Sequence, residues 1–213
     1  MRWTGPARLL AVLAALALPL RAQSAPSGAG GEEPAWSTTL ELYAFDPPED
    51  DAYLSPVVGF GRGAWRFEAR WQYEDLDTGS LFAGRAFTFG ETLTLELVPL
   101  LGLVAGDTDG VAPAVEAELA WRAFSFATES EYVIDLDDRD DSFFLSWNEL
   151  AFSPAEWLSV GFVGSRARAY EQDLEIDRGL LLGISAGSFG FTVYWFNPDR
   201  DESYLALAFS WER

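Results

Sequence analysis

The chain has 213 residues, 49% of them hydrophobic and 15% aromatic, enough for one domain with a sizeable core. Its 34 acidic residues stand against 14 basic ones, all arginine, and the formal net charge of −20 excludes nucleic acid as a natural partner. There is no histidine and no cysteine, which removes the usual general base, the commonest metal ligand, thiolate metal sites and disulfides.

Residues 1–22 read as a secretory signal peptide. Arg2 and Arg8 give a positive start, LLAVLAALALPL is the apolar stretch, and Ala22 is a small cleavage residue. Residues 23–35 are rich in Gly, Ser, Ala and Pro and read as a disordered leader. Residues 36–213 alternate with period two and show no helical period, so the fold class is all-β.

Twelve strands are expected, over 36–45, 53–60, 63–75, 81–89, 92–104, 111–122, 124–136, 142–152, 157–168, 179–186, 189–196 and 204–211. Pro56 suits an edge-like position or a bulge in the second. The third shows the pattern best. Trp65, Phe67, Ala69, Trp71 and Tyr73 share one face, and Arg66, Glu68, Arg70, Gln72 and Glu74 the other. The apolar face, with Leu95 and Leu97 of the fifth strand, is expected to point outward.

The connections alternate between acidic loops and short turns. Long connections at one end, short turns at the other and an even strand number describe an up-and-down antiparallel transmembrane β-barrel. The strand lengths match the roughly 9–11 residues a tilted strand needs to cross a bilayer. Trp36, Trp65, Trp121, Trp147, Trp157, Trp195 and Trp211 are expected in the interfacial girdles. Alternation by itself also fits a soluble exported barrel that binds a small ligand. The regular alternation of loop lengths and the aromatic load of the apolar face favour the membrane.

The last strand carries Leu205, Leu207, Phe209 and Trp211 on one face, ahead of Glu212 and Arg213. It resembles the C-terminal signal that barrel-assembly machinery reads in bacterial outer-membrane barrels, and the whole mature chain resembles that class. The segments WNELAFSPAEWLSVGF and YWFNPDRDESYLALAF resemble one family of such barrels, a resemblance that brings no activity with it. It implies the outer membrane of a Gram-negative bacterium, contact with lipid and lipopolysaccharide, and engagement of the assembly machinery through residues 204–211. Enzymes on this architecture resemble hydrolases and acyltransferases that use His with Ser or Asp; without His no enzyme is expected.

On the polar face, Glu41, Arg66, Glu68, Arg70, Arg85, Glu96, Glu116, Glu118, Arg122, Glu129 and Glu131 are expected to line the lumen. The turn at Arg122-Ala123 sets Glu116 roughly opposite Glu129, a like-charge pair that needs neutralising. Two outcomes stay open. Water between a basic and an acidic wall makes a small porin-like passive channel with weak cation preference. Arginines reaching across to the glutamates make a closed structural or adhesion barrel. No cofactor is expected beyond loop-bound Ca²⁺ or Mg²⁺ at Asp107 and Asp109, or at Asp137, Asp138, Asp140 and Asp141. The plainer reading of these loops is solvated charge that divalent ions bridge to lipopolysaccharide.

Overall fold

The computed structural model describes residues 34–48, 51–169 and 175–213; the expected signal peptide and nearly all of the expected leader lie outside them. The strands are β1 (Trp36–Asp46), β2 (Tyr53–Arg62), β3 (Trp65–Trp71), β4 (Gly79–Arg85), β5 (Phe87–Phe89), β6 (Leu93–Ala105), β7 (Gly110–Trp121), β8 (Phe124–Asp135), β9 (Phe143–Ala155), β10 (Leu158–Ala169), β11 (Glu175–Ala186), β12 (Phe189–Phe196) and β13 (Tyr204–Glu212). All neighbours are antiparallel and follow chain order, and β13 pairs with β1. β4 and β5 both pair with β6 and act as one strand broken at Ala86, so the result is a closed twelve-stranded barrel. Closure leaves no open edge, which lets a sheet cross a bilayer.

The seam uses the residues beyond the terminal aromatic. Glu212 pairs with Thr39, and Arg213 exchanges backbone hydrogen bonds with Thr38 at 2.8 and 2.9 Å.

Proline places the irregularities. Pro99 lies where β4 gives way to β5, since the β6 ladder pairs Leu100 with Gly84 and resumes only at Leu97 with Phe87. A residue with no N–H cannot complete that ladder. Gly84 is required there, because a Cβ would sit 2.5 Å from the Pro99 carbonyl oxygen. Pro154 adjoins the register shift between β9 and β10. Pro56 lies just past the β2–β3 ladder, which starts at Val57.

Alternation sorts the faces. Outside stand Leu81 and Leu103, both 65% exposed, with Leu101 at 61% and Phe162 at 62%. Trp36, Trp65, Trp121 and Trp157 are exposed near the short-turn end. Aromatic residues at strand ends and aliphatic ones between are the pattern of a lipid-facing belt. The belt turns polar on β8 and β9, where Thr128, Ser130, Ser146 and Asn148 point outward. Thr128 donates to Asn148 at 2.9 Å, Asn148 to Ser146 at 3.1 Å, and Ser130 and Ser146 share a bond of 3.1 Å. Each group thereby has a partner that lipid does not supply.

Two expectations about the outer face are corrected. The third strand ends at Trp71, not at 75, because Gln72 takes a positive φ of 51° and its N–H bonds to the Thr78 carbonyl. The break swings Tyr73, expected outside, into the barrel, where it is 2% exposed. Trp147, expected in a girdle, is also inside, because Phe143, Leu145, Trp147 and Glu149 all face the lumen.

The interior is filled in the half nearer the long loops. One buried cluster joins Tyr43, Phe45, Tyr73, Trp147, Tyr194 and Phe196, with members from β1 across to β9. The other packs Phe82, Leu100, Val133 and Leu145 from β4, β6, β8 and β9. Toward the short turns the inward positions shrink to residues such as Thr39, Gly59, Ser159, Gly183, Thr192 and Ser210. Among the described residues no helix is long and apolar enough to cross a membrane.

Candidate functional site: the barrel lumen

β3 sends Arg66, Glu68 and Arg70 inward on alternate positions. Arg70 is buried between two rings, its guanidinium carbon 4.4 Å from the Tyr73 centroid and 4.1 Å from that of Phe82. Nη1 donates to Glu129 Oε1 at 2.7 Å and to Glu131 Oε2 at 3.1 Å. Nε and Nη2 donate to Glu68 Oε2 at 3.0 and 2.7 Å. Glu116 and Glu74 approach the guanidinium at 3.5 and 3.7 Å. The contact with β8 passes across β4, β6 and β7, so a single side chain ties two walls together. Only a planar, multiply donating group can serve several carboxylates in this way.

The loop after β3 completes the cluster. The Tyr73 hydroxyl donates to Glu129 Oε2, and Ser80 Oγ to Glu74 Oε1 at 2.6 Å. The loop is anchored to its neighbour by Asp75, which accepts from Leu76 N at 2.8 Å and Thr108 Oγ1 at 2.9 Å. Burial pushes the Asp75 carboxyl up, against those two bonds.

A second polar centre lies on β9. Trp147 Nε1 and the Tyr194 hydroxyl both donate to Glu149 Oε1 at 2.8 Å. Trp147 packs edge-on against Tyr194 and Phe196, with centroids 5.3 and 5.4 Å apart. The Tyr43 hydroxyl donates to Glu41 at 2.7 Å. Toward the short turns the lumen opens. There Arg66 sits 3.7 Å from Glu96, and Glu96 pairs in register with Glu118, all half-buried.

Of the expected lumen residues, Glu41, Arg66, Glu68, Arg70, Glu96, Glu116, Glu118, Glu129 and Glu131 occupy inward positions. Glu116 and Glu129 are register partners. Arg85 and Arg122 do not line the lumen. Arg85 shares its face with Leu81 and is exposed, its guanidinium 5.7 Å from the Phe87 ring. Arg122 stands exposed in the hairpin turn with a φ of 56°, stacked 4.9 Å over Trp121. Both arginines keep their heads at the rim of the apolar belt. The suggested cation loops are likewise corrected. Asp109 accepts from Gly106 N at 3.2 Å, and Asp138 caps a short 3-10 turn, Arg139–Asp141. Among the described residues no three acidic side chains converge on a metal position.

Sequence reading missed Glu74, Glu149, Tyr73, Tyr194 and Trp147. Glu149 carried a usable signal. It shares parity with Phe143, Leu145 and Trp147, and a carboxylate on a lipid face is costly, so that parity must point inward.

Known structures place this geometry. The KdgM porin superposes with a TM-score of 0.56 at 11% identity, covering 82% of this chain and 98% of that one. The fold is that of an outer-membrane porin barrel. NanC porin aligns with a TM-score of 0.51 at 8% identity, over 81% of this chain and 97% of its own. At these identities the likeness is one of fold. No protein-family model and no curated protein matches the chain. Among the described residues of this porin-like barrel, only Arg66 and Arg70 bring positive charge inside.

Proposed function

We propose that the chain is a porin-like channel of the Gram-negative outer membrane, selective for cations and constricted by the Arg70 cluster. The carrying observation is the interior charge. Glu96, Glu116, Glu118, Glu129 and Glu131 of β6, β7 and β8, with Glu68 of β3, stand against Arg66 and Arg70. An excess of carboxylates holds a negative potential in a narrow lumen and admits cations over anions. KdgM porin has been solved in complex with oligogalacturonate, an acidic polymer. The carboxylates of such a solute would meet Glu96 and Glu118 here, so polyanions are not the solutes proposed for this barrel. The partners proposed are outer-membrane lipid, lipopolysaccharide bridged by divalent ions to the acidic loops, and assembly machinery engaging residues 204–211.

The test is the reversal potential of the refolded protein in a planar bilayer under a salt gradient. Cation selectivity is expected, weakened by Glu96→Gln with Glu118→Gln. A clearly anion-selective pore overturns the reading. The filled half nearer the long loops, where Tyr43, Tyr194 and Phe196 are all 0% exposed, favours a second reading as a closed structural barrel. Absence of conductance under all conditions would select it. Either reading requires the protein to fractionate with the outer membrane and to migrate differently on gels before and after heating. Recovery as a detergent-free soluble protein would sink both.

A further inference from the structure

Arg70 offers one positive charge to five carboxylates, those of Glu68, Glu74, Glu116, Glu129 and Glu131. Among the described residues, the following groups face it. Glu68 comes from its own strand, Tyr73 and Glu74 from the following loop, Ser80 and Phe82 from β4, Glu116 from β7, and Glu129 and Glu131 from β8. The neighbouring β6 positions, Val98 and Leu100, are apolar. The nearest other cation, Arg66, is paired with Glu96. Glu149 is held by Trp147 and Tyr194.

Three buried oxygens show that the cluster lacks positive charge. Glu74 Oε2 and Glu131 Oε1 are buried without a hydrogen-bond partner, on side chains 0% and 1% exposed. Glu116 Oε1, 3.5 Å from Arg70 Nη2, is a third buried oxygen without a hydrogen-bond partner. An ionised oxygen sealed from water with no donor is far costlier than a neutral acid at the same place.

We propose that the Arg70 cluster is a proton-binding site whose bound protons keep the barrel shut. At neutral pH the protons sit on Glu74, Glu116 and Glu131, leaving Arg70 between the carboxylates of Glu68 and Glu129. Raising the pH sends them to bulk water with no covalent change. Several carboxylates then repel around one guanidinium. The element that yields is the 72–78 loop, since Tyr73 and Glu74 are not held in a strand ladder. Burial pushes the Glu74 carboxyl up, against Arg70 and the Ser80 hydroxyl, so the folded state binds this proton more tightly than the unfolded chain does. The cluster therefore loses stability as pH rises from the ordinary carboxylate range through the raised value.

The experiment pairs conductance with infrared spectroscopy on the refolded full chain, between about pH 5 and about pH 9. Conductance should rise several-fold with pH. Glu74→Gln with Glu131→Gln, neutral at every pH, should stay low and flatter than the unsubstituted chain. The infrared spectrum at neutral pH should show the carbonyl stretch of protonated carboxyl groups, diminished in that double variant. The conductance arm rests on the channel reading above; the infrared arm does not. A protonated-carboxyl band that titrates in a barrel that never conducts upholds the proton site and overturns the channel. No such band at neutral pH, or an equal rise in conductance in the double variant, overturns the proposal.

Discussion

Replacing Arg70 by methionine should lower the unfolding free energy at neutral pH by about 3–5 kcal/mol, the usual cost of removing one partner from a buried ion pair. Methionine keeps much of the stem that packs between Tyr73 and Phe82, so the loss is chiefly of charge and donors. Glu68 Oε2, Glu129 Oε1 and Glu131 Oε2 would all lose their guanidinium bonds. Glu68 and Glu129 would have to take up protons or admit water. Arg70→Met should therefore recover part of its stability as pH falls, since protonation removes the uncompensated charge. Arg66→Met is the control. Arg66 is half-buried, its contact with Glu96 is 3.7 Å, and its loss should cost markedly less than that of Arg70. Urea unfolding in lipid, followed by tryptophan fluorescence, measures both. Equal midpoints for Arg70→Met and the unsubstituted chain at neutral pH would mean that the cluster does not hold the walls together.

Much of the barrel is legible in the chain because alternation and loop length are local signals. The run from Trp65 to Trp71 alternates without exception, and the hairpin at Arg122-Ala123 alone fixes the pairing of Glu116 with Glu129. Once these are known, the seven arginines and glutamates of β3, β7 and β8 must all face the lumen. Parity does not say which face is wet when both carry apolar residues. β9 has Phe143, Leu145 and Trp147 on one face and Phe144, Leu150 and Phe152 on the other, so the inward set reads equally well as a lipid face. Tyr73 was hidden for a different reason. One residue with positive φ, Gln72, ended the strand, and no alternation pattern marks where a non-glycine residue takes that conformation. For Arg85, charge alone suggests the lumen, and position decides against it. Arg85 shares parity with Leu81 and Phe87, and an arginine at a membrane rim keeps its stem in the apolar belt and its head in water.

Leu101→Arg should cost about 2–4 kcal/mol, the penalty for an arginine on the lipid face near mid-depth of an outer-membrane barrel. Leu101 belongs to the thirteen-residue strand β6, pairs with Ala83 on one side and Pro113 on the other, and stands near the strand's middle. It is 61% exposed, with Leu81 and Leu103 exposed beside it. In water these neighbours would form an apolar patch that an arginine breaks up at little cost, and the variant would be neutral or more soluble. In lipid the guanidinium has no hydrogen-bonding solvent and must distort the bilayer or reach for the headgroups. The sign of the effect therefore separates a lipid-facing belt from a solvated surface, independently of any transport measurement. Refolding into vesicles with a urea titration reads it directly. The comparison is Trp36→Arg at the short-turn end, where the penalty should fall to about 0–1 kcal/mol because the interface supplies water. Equal costs at Leu101 and Trp36 would mean that depth does not matter, and a barrel whose outer wall ignores depth is not seated in a bilayer.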